Sequence, residues 1–273
     1  MIKRILVGLG GTPFTPVAIR RAVMLARSQG AEITGVTIVD PRKLGRVAPT
    51  SSDEADSVAR GRRRVTEEQI EHATAMLEAE CRTSGITCRL HREVGDPFSS
   101  MVALARYHDI VIVGLRSIFE HDLLCPDPED QLLKLVMSGV RPVIAVSTEF
   151  RSINRVLIAY SGTMESAKAM KRFVQLRLWP DARLKIMTFN PSLADADRLV
   201  ADARDYCRAH GFTVDWETNP GEPSALLLAS AALWQADMIA MGNSLRSVFM
   251  RRVLGDTALD AIRRSPVPLF LCS

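Results

Sequence analysis

The sequence predicts an α/β protein made of two tandem doubly wound domains, each with a five-stranded and mostly parallel sheet. Three observations predict this class. Short, nearly continuous apolar runs rich in β-branched residues alternate with longer stretches of helical periodicity. The whole series of runs occurs twice along the chain. The length of 273 residues also suits two domains of ordinary size.

The two halves of the chain share four features in the same order. These are an apolar run closed by Gly-Thr, a Gly-Asp-Pro or Gly-Glu-Pro triplet, an apolar run between Asp and Gly, and a Pro-Val strand. They lie at Ile5–Thr12, Gly95–Pro97, Asp109–Gly114 and Pro142–Val146, and again at Val156–Thr163, Gly221–Pro223, Asp237–Gly242 and Pro266–Leu271. This recurrence indicates an internal duplication. We place the domains at residues 1–148 and 153–273, with a polar link between them.

Each repeat is expected to contribute five strands. They are predicted at Ile5–Leu9, Ile33–Val39, Thr87–Glu93, Ile110–Val113 and Val143–Val146, and at Val156–Tyr160, Leu184–Phe189, Thr213–Glu217, Met238–Met241 and Leu269–Leu271. Helices are predicted between them, including Pro16–Gln29, which Gly30 ends, and Ala194–His210, which Gly211 ends. Residues 41–65 carry turn-forming and polar residues and are interpreted as an exposed excursion.

Composition excludes several classes of protein. The net charge is +4, with 35 basic and 31 acidic residues, and only 5% of residues are aromatic, so neither a nucleic-acid partner nor a base-stacking surface is indicated. No apolar stretch approaches the length of a membrane span, and no targeting segment is evident. The five cysteines are scattered and form no C-x-x-C pair, which favours reduced thiols. We therefore predict a cytoplasmic protein.

Ligands of open parallel sheets bind beyond the carboxyl ends of the strands, where the strand order reverses. The loop after Gly242 reads Asn-Ser-Leu-Arg-Ser, and Gly255, Asp256 and Thr257 then open a helix. Free amides and the helix dipole at such an opening favour an anion, so a phosphate site is one interpretation. The alternative is a simple helix cap, in which Asp256 accepts the first amides. The residues leave both interpretations open.

The chain resembles the universal stress protein family over nearly its whole length. The resemblance is carried by the repeated unit, the Ile-Leu-Val strand before Gly-Thr, the Asp-x-x-x-x-Gly run and the closing Pro-Val strand. It implies a doubly wound fold, with the two domains of a tandem member paired in one chain or dimerised. ATP-binding members carry G-x-x-G, nine residues and G-[S/T], with an aspartate after the first strand.

The second repeat matches that nucleotide motif in part. Gly242 and Gly255 have the right spacing, but Leu245 replaces the second glycine, Asp256 takes the hydroxyl position and Ser161 takes the aspartate position. An ionised Asp256 would repel phosphate unless a metal ion such as Mg²⁺ bridged them. The resemblance implies ATP or AMP as a ligand without requiring a cofactor. The site residues that it implies are Ser161, Phe189, Gly242, Gly255, Asp256 and Thr257.

The first repeat has drifted further from the motif. No glycine–hydroxyl pair follows Gly114 at the required distance, Gly10 takes the aspartate position, and an acidic run follows Pro126. We predict no ATP there. The chain as a whole is interpreted as a non-enzymatic stress-response protein with no catalytic or metal-ligating residues. The alternatives are a nucleotide-independent scaffold or dimerisation protein and a weak ATPase.

Overall fold

The computed structural model describes residues 1–39, 52–118, 128–138, 142–189, 193–242 and 257–273. This part of the chain contains ten strands and eight α-helices that alternate as predicted. Contacts divide the chain into two compact units: the first is residues 2–135, and the second is residues 136–273 together with Met1. Both are α/β units, so the predicted fold class is confirmed. The predicted domain limits at 148 and 153 stay a prediction about the repeats.

The first repeat supplies β1 to β5 and α1 to α4. Their bounds are β1 Arg4–Gly8, α1 Thr15–Gln29, β2 Glu32–Val39, α2 Ser52–Thr83, β3 Cys88–Val94, α3 Pro97–Ala105, β4 Ile110–Gly114, α4 Pro128–Ser138 and β5 Val143–Val146. Within the first unit the strand order is β3-β2-β1-β4, and all three pairings are parallel. The central strands are buried on both faces, which explains their continuous apolar sequence.

The second repeat supplies the remaining elements. Their bounds are β6 Arg155–Ala159, α5 Met164–Leu176, β7 Arg183–Phe189, α6 Leu193–Ala209, β8 Val214–Asn219, α7 Pro223–Leu233, β9 Met238–Gly242, α8 Thr257–Arg264 and β10 Leu269–Cys272. The strand order in the second unit is β5-β10-β9-β6-β7-β8. Its pairings are parallel except that β5 runs antiparallel to β10. The last strand of the first repeat therefore belongs to the second compact unit.

The excursion predicted at residues 41–65 is wrong for its second part. Helix α2 already begins at Ser52 and runs for 32 residues. Asp53 and Glu54 stand in its first turn, where acidic residues favour the positive end of the helix dipole. Low hydrophobicity hid this helix, because its polar first half resembles a loop in sequence. Residues 41–51 of the predicted excursion lie outside the described part of the chain.

The Asp-x-x-x-x-Gly run has the same structural role in both repeats. Asp109 accepts hydrogen bonds from the amides of Lys3 and Arg4 at 2.7 and 3.0 Å. Asp237 accepts from the amides of Asn154 and Arg155, both at 2.9 Å. In each repeat the aspartate before the fourth strand thus ties down the start of the first strand. The motif is explained by the amino end of the sheet, away from the predicted ligand site.

His108 is a buried polar group at the turn before β4. Its Nδ1 lies 2.7 Å from the carbonyl oxygen of Leu104, so Nδ1 donates and carries the proton. Within the described part of the chain, no partner reaches its Nε2. Burial lowers the pKa of His108, and the bond to Leu104 opposes this only in part. The folded chain therefore holds the neutral ring.

Stability is expected to fall as the pH drops below about 6.5, the ordinary pKa of histidine in an unfolded chain. Protonation favours the unfolded state here, because the pKa of His108 is lower in the folded state. Each pKa unit of difference contributes about 1.4 kcal/mol of unfolding free energy above that range. Urea unfolding followed by circular dichroism should show a weaker pH dependence between pH 7 and 5 for His108→Leu. The same substitution at the exposed His72 should leave the dependence unchanged.

Candidate functional site

Three of the predicted site residues stand at the carboxyl ends of three neighbouring parallel strands. Ala159 at the end of β6 is level with Met187 in β7 and with Met241 in β9. Gly242 lies one residue beyond that level, and Ser161 and Phe189 lie two residues beyond it. The structure therefore brings Ser161, Phe189 and Gly242 to one end of the sheet. The strand order reverses between β6 and β9, which is where the sequence placed the ligand.

A set of hydroxyl groups shapes the loop after β6. The Ser161 amide donates to Oγ of Ser166 at 3.3 Å, and the Ser161 and Thr163 hydroxyls share a hydrogen bond of 3.2 Å. Thr163 is the N-cap of α5 and accepts from the Ser166 amide at 3.3 Å. Ser161, Gly162 and Thr163 are exposed. Solvent therefore reaches hydroxyl groups that lie beside the positive end of a helix.

Gly242 is required by the close approach of β9 to α5. A Cβ atom on Gly242 would lie 2.4 Å from the carbonyl carbon and oxygen of Glu165 and 2.7 Å from the Ser166 nitrogen. These are backbone atoms in the first turn of α5, and they cannot rotate away. This glycine thus fixes the opening of α5 against the end of β9.

Two aromatic side chains flank the same end of the sheet. Phe189 is half-buried at the end of β7 and pairs in register with Asn219 of β8. Tyr160 is half-buried directly after β6, and burial raises its pKa, with a smaller contribution from the charge of Asp202. The phenol is therefore neutral at ordinary pH and remains a hydrogen-bond donor. Both side chains offer apolar surface beside the exposed hydroxyls.

The remaining predicted residues belong to the crossover from β9 to β10. Thr257 is the first residue of α8 and is half-buried. Because β9 and β10 are parallel and α8 joins them, α8 begins at the carboxyl end of the sheet. Thr257 thus shares the sheet end of Ser161. Gly255 and Asp256 lie outside the described residues, so the choice between a phosphate site and a helix cap stays a prediction.

The corresponding place in the first repeat is filled by side chains and backbone. A Cβ atom on Gly114 would lie 2.3 Å from the Ser117 carbonyl oxygen and 2.8 Å from Cβ of Phe14. One on Gly8 would lie 3.4 Å from Cγ2 of Ile118. Phe14, Ser117 and Ile118 are all buried. They occupy the point where the strand order reverses between β1 and β4.

The two repeats therefore differ at equivalent positions. Thr12 and Phe14 follow β1 and are 4% and 6% exposed. Their counterparts after β6 are Thr163, which is exposed, and Glu165, which is half-buried, while Met164 between them is 70% exposed. The first repeat has closed this end of its sheet. The second keeps it open over the residues that are described.

Sequence reasoning missed part of this site. It named Thr163 only as the end of a Gly-Thr pair, and it did not use Ser166. The signal was present, because hydroxyl residues at 161, 163 and 166 stand where a strand ends and a helix begins. Their mutual hydrogen bonds required the folded loop.

Two other kinds of site were searched for in the described ranges. They contain no cluster of three or more His, Cys, Asp or Glu residues that could hold a metal ion. No helix there has both the length and the apolar character needed to cross a bilayer. The described chemistry is thus confined to the sheet ends and to the cysteines considered below.

The fold and the site define a duplicated α/β protein with one closed and one open strand-end crevice. The universal stress protein family model matches residues 1–120 and 191–273, so the chain belongs to the universal stress protein family. It is of the tandem type, since its full-length relatives span both repeats.

Full-length similarity extends to several known proteins. The universal stress protein Slr1230 of Synechocystis sp. is 22% identical over 289 residues, which cover 98% of this chain and 99% of that protein. A solved universal stress protein of Archaeoglobus fulgidus is 21% identical, covers 100% of this chain and 96% of its own, and has a TM-score of 0.69. A functionally unknown protein of Pseudomonas aeruginosa PAO1 is 15% identical, covers 99% and 92%, and has a TM-score of 0.63.

Some members of the family bind adenine nucleotides. A universal stress protein of Arabidopsis thaliana was solved with AMP bound; it is 12% identical, covers 44% of this chain and 90% of its own, and has a TM-score of 0.34. That complex is a property of the Arabidopsis protein.

Proposed function

We propose that this chain is a non-enzymatic regulatory protein of the stress response that binds an adenine nucleotide, ATP or AMP, in its second repeat. The observation that carries the proposal is the difference between the two repeats at the point where strand order reverses. The first repeat is packed there with Phe14, Ser117 and Ile118. The second presents the exposed Ser161–Thr163 loop. Small molecules of doubly wound proteins bind at this end of the sheet.

The adenosine is proposed to lie near Ser161, Phe189 and Gly242. The exposed hydroxyls of Ser161 and Thr163 can donate to or accept from a ribose, and Phe189 offers an aromatic surface at the neighbouring strand end. The phosphates are proposed to extend toward Gly255, Asp256 and Thr257, with Mg²⁺ offsetting the charge of Asp256. Support for this direction is the shared sheet end of Ser161 and Thr257.

The first repeat supports a second role for the chain. Its crevice is filled by apolar side chains, so we infer that this unit serves as a scaffold for domain pairing, dimerisation or partner binding without nucleotide. If the second repeat also failed to bind nucleotide, the scaffold would be the function of the whole protein. A cytoplasmic location is proposed with both roles.

A non-enzymatic role is supported by the chemistry of the described residues at the site. They are hydroxyls that hydrogen-bond to one another, with no histidine or carboxylate among their printed partners. No activated nucleophile can be assigned from such a set, because the hydroxyl lacks an adjacent base. A weak ATPase would need turnover that Gly255 or Asp256 substitutions abolish.

Calorimetric titration of the full chain with ATP and with AMP, with and without Mg²⁺, tests the proposal. We expect saturable heat with an affinity on the order of micromolar, about −8 kcal/mol. Ser161→Trp should weaken binding at least about tenfold, a loss of about 1.4 kcal/mol, because the indole would occupy the exposed loop. A matched control is Ser152→Trp, since Ser152 is also exposed but precedes β6 at the opposite end of the same strand.

The outcomes separate the candidate functions. Absence of both heat and thermal shift with either nucleotide would remove the sensing function and leave the scaffold. Binding that Ser161→Trp does not change would show that the nucleotide lies elsewhere. Mass spectrometry of small molecules released from the freshly purified protein would identify the natural ligand.

A further inference from the structure

The turn between α2 and β3 brings together two cysteines that are seven residues apart in the sequence. Cys81 lies in the last turns of α2, and Cys88 is the first residue of β3. The Ile86 amide donates to the Cys81 carbonyl at 2.9 Å, which folds the connection back on the helix end. Cys81 is buried and Cys88 is half-buried. One thiol is therefore accessible, and the other lies behind it.

The two cysteines extend a contact between α2 and β3. A Cβ atom on Gly35 would lie 2.5 Å from Cδ2 of Leu77 and 3.1 Å from Cδ2 of Leu90, so these two leucines meet on one face of β2. Cys81 follows Leu77 by four residues, which is the same face of a helix. Cys88 precedes Leu90 by two residues, which is the same face of a strand. The side chains of Cys81 and Cys88 are thus directed toward each other.

The thiols are close enough to affect each other's ionisation. The hydrogen bond between them lowers the pKa of Cys88, and the same bond, together with burial, raises the pKa of Cys81. The more exposed sulfur is the one that ionises more readily. This order suits attack by Cys88 from the surface and a later reaction of Cys81 from behind.

We propose that Cys81 and Cys88 form a reversible disulfide when the protein meets an oxidised low-molecular-weight disulfide. This modification site is independent of nucleotide binding. It lies at the start of β3 in the first unit, and Ser161 lies at the end of β6 in the second.

The reaction proceeds in two balanced exchanges. The Cys88 thiolate attacks one sulfur of the small disulfide, the S–S bond of that reagent breaks, and one small thiolate leaves. The Cys81 thiol then loses its proton and attacks Sγ of Cys88, which expels the second small thiol and forms the Cys81–Cys88 bond. The two protein thiols are oxidised by two electrons, and the reagent is reduced to two thiols. Excess small thiol reverses both steps.

Oxidised glutathione is the probe for the test. The reduced full chain is incubated with it, remaining thiols are blocked with N-ethylmaleimide at low pH, and the protein is digested with trypsin without reduction. Cleavage after Arg64, Arg82 and Arg89 gives peptides 65–82 and 83–89, with one cysteine in each. We expect these two peptides to be joined in wild type and to separate on reduction.

Single variants identify the order of events. In Cys81→Ser, a glutathione adduct should accumulate on Cys88, whereas wild type should hold about tenfold less of it, because a neighbouring thiol acts at an effective concentration of millimolar or above. Cys88→Ser should leave the buried Cys81 unmodified. Cys207→Ser is the matched control, because Cys207 is buried and burial raises its pKa to about 12; this variant should form the joined peptide like wild type.

Two results would overturn the proposal. One is a glutathione adduct on Cys88 that is as abundant in wild type as in Cys81→Ser. The other is oxidation that joins neither peptide while Cys88 remains open to N-ethylmaleimide. Far-ultraviolet circular dichroism of each variant would confirm that it is folded before either result is interpreted.

Discussion

Gly242→Ala is expected to destabilise the second unit by about 1–3 kcal/mol, near the upper end of that range for an added methyl group. The new Cβ atom would lie 2.4 Å from the Glu165 carbonyl group and 2.7 Å from the Ser166 nitrogen. Relief requires α5 to move as a whole, because these atoms belong to its backbone. The shift would also displace the Thr163–Ser166 turn, so nucleotide heat should fall with stability.

Gly8→Ala is the matched control for Gly242→Ala. Its Cβ atom would meet side chains, Cγ1 of Val113 at 3.2 Å and Cγ2 of Ile118 at 3.4 Å, which can shift by a few tenths of an ångström. We expect a smaller loss of stability and unchanged nucleotide binding. Wild-type stability for Gly242→Ala would contradict the close packing of β9 on α5.

Phe173→Ala is expected to lose about 3–5 kcal/mol of unfolding free energy, the usual range for removing a buried phenyl ring. Phe173 is 2% exposed and lies in an aromatic cluster of the second unit. Its ring centroid is 6.0 Å from that of Trp179 and 5.2 Å from that of Phe270, which it meets edge to face. The variant leaves a cavity that this rigid cluster cannot close.

Tryptophan fluorescence during urea unfolding measures this loss in the second unit, because the chain's three tryptophans, Trp179, Trp216 and Trp234, all lie there. Phe173→Leu keeps most of the apolar volume and should cost less than about 1.5 kcal/mol. Equal losses for the two variants would mean that the ring geometry, and not the filled volume, carries the stability.

Sequence patterning predicted the strands well for a physical reason. Parallel strands buried on both faces must be apolar throughout, so Ile110–Gly114 and Met238–Gly242 stand out as uninterrupted runs. The first half of α2 did not stand out, because its sequence is polar and rich in charge. Antiparallel pairing of Val143–Val146 with Leu269–Cys272 was also beyond the sequence, since an apolar strand carries no mark of its partner's direction.

The site followed the same division between what is local and what is tertiary. The rule for parallel sheets was enough to bring Ser161, Phe189 and Gly242 to one end of the sheet. It could not show that Phe14 and Ile118 close the equivalent place in the first repeat, because each is an ordinary apolar residue in sequence. The meeting of Cys81 and Cys88 likewise depends on how α2 lies on β2 and β3. Spacing alone does not give that register.

The placement of Val143–Val146 beside Leu269–Cys272 has a consequence for dissecting the protein. A fragment cut at the repeat boundary, beginning at residue 153, would leave one side of β10 without the strand that accepts and donates its hydrogen bonds. Such an uncovered strand is a template for self-association, with a second copy supplying the missing partner. Retaining residues 136–152 would keep that strand within the fragment.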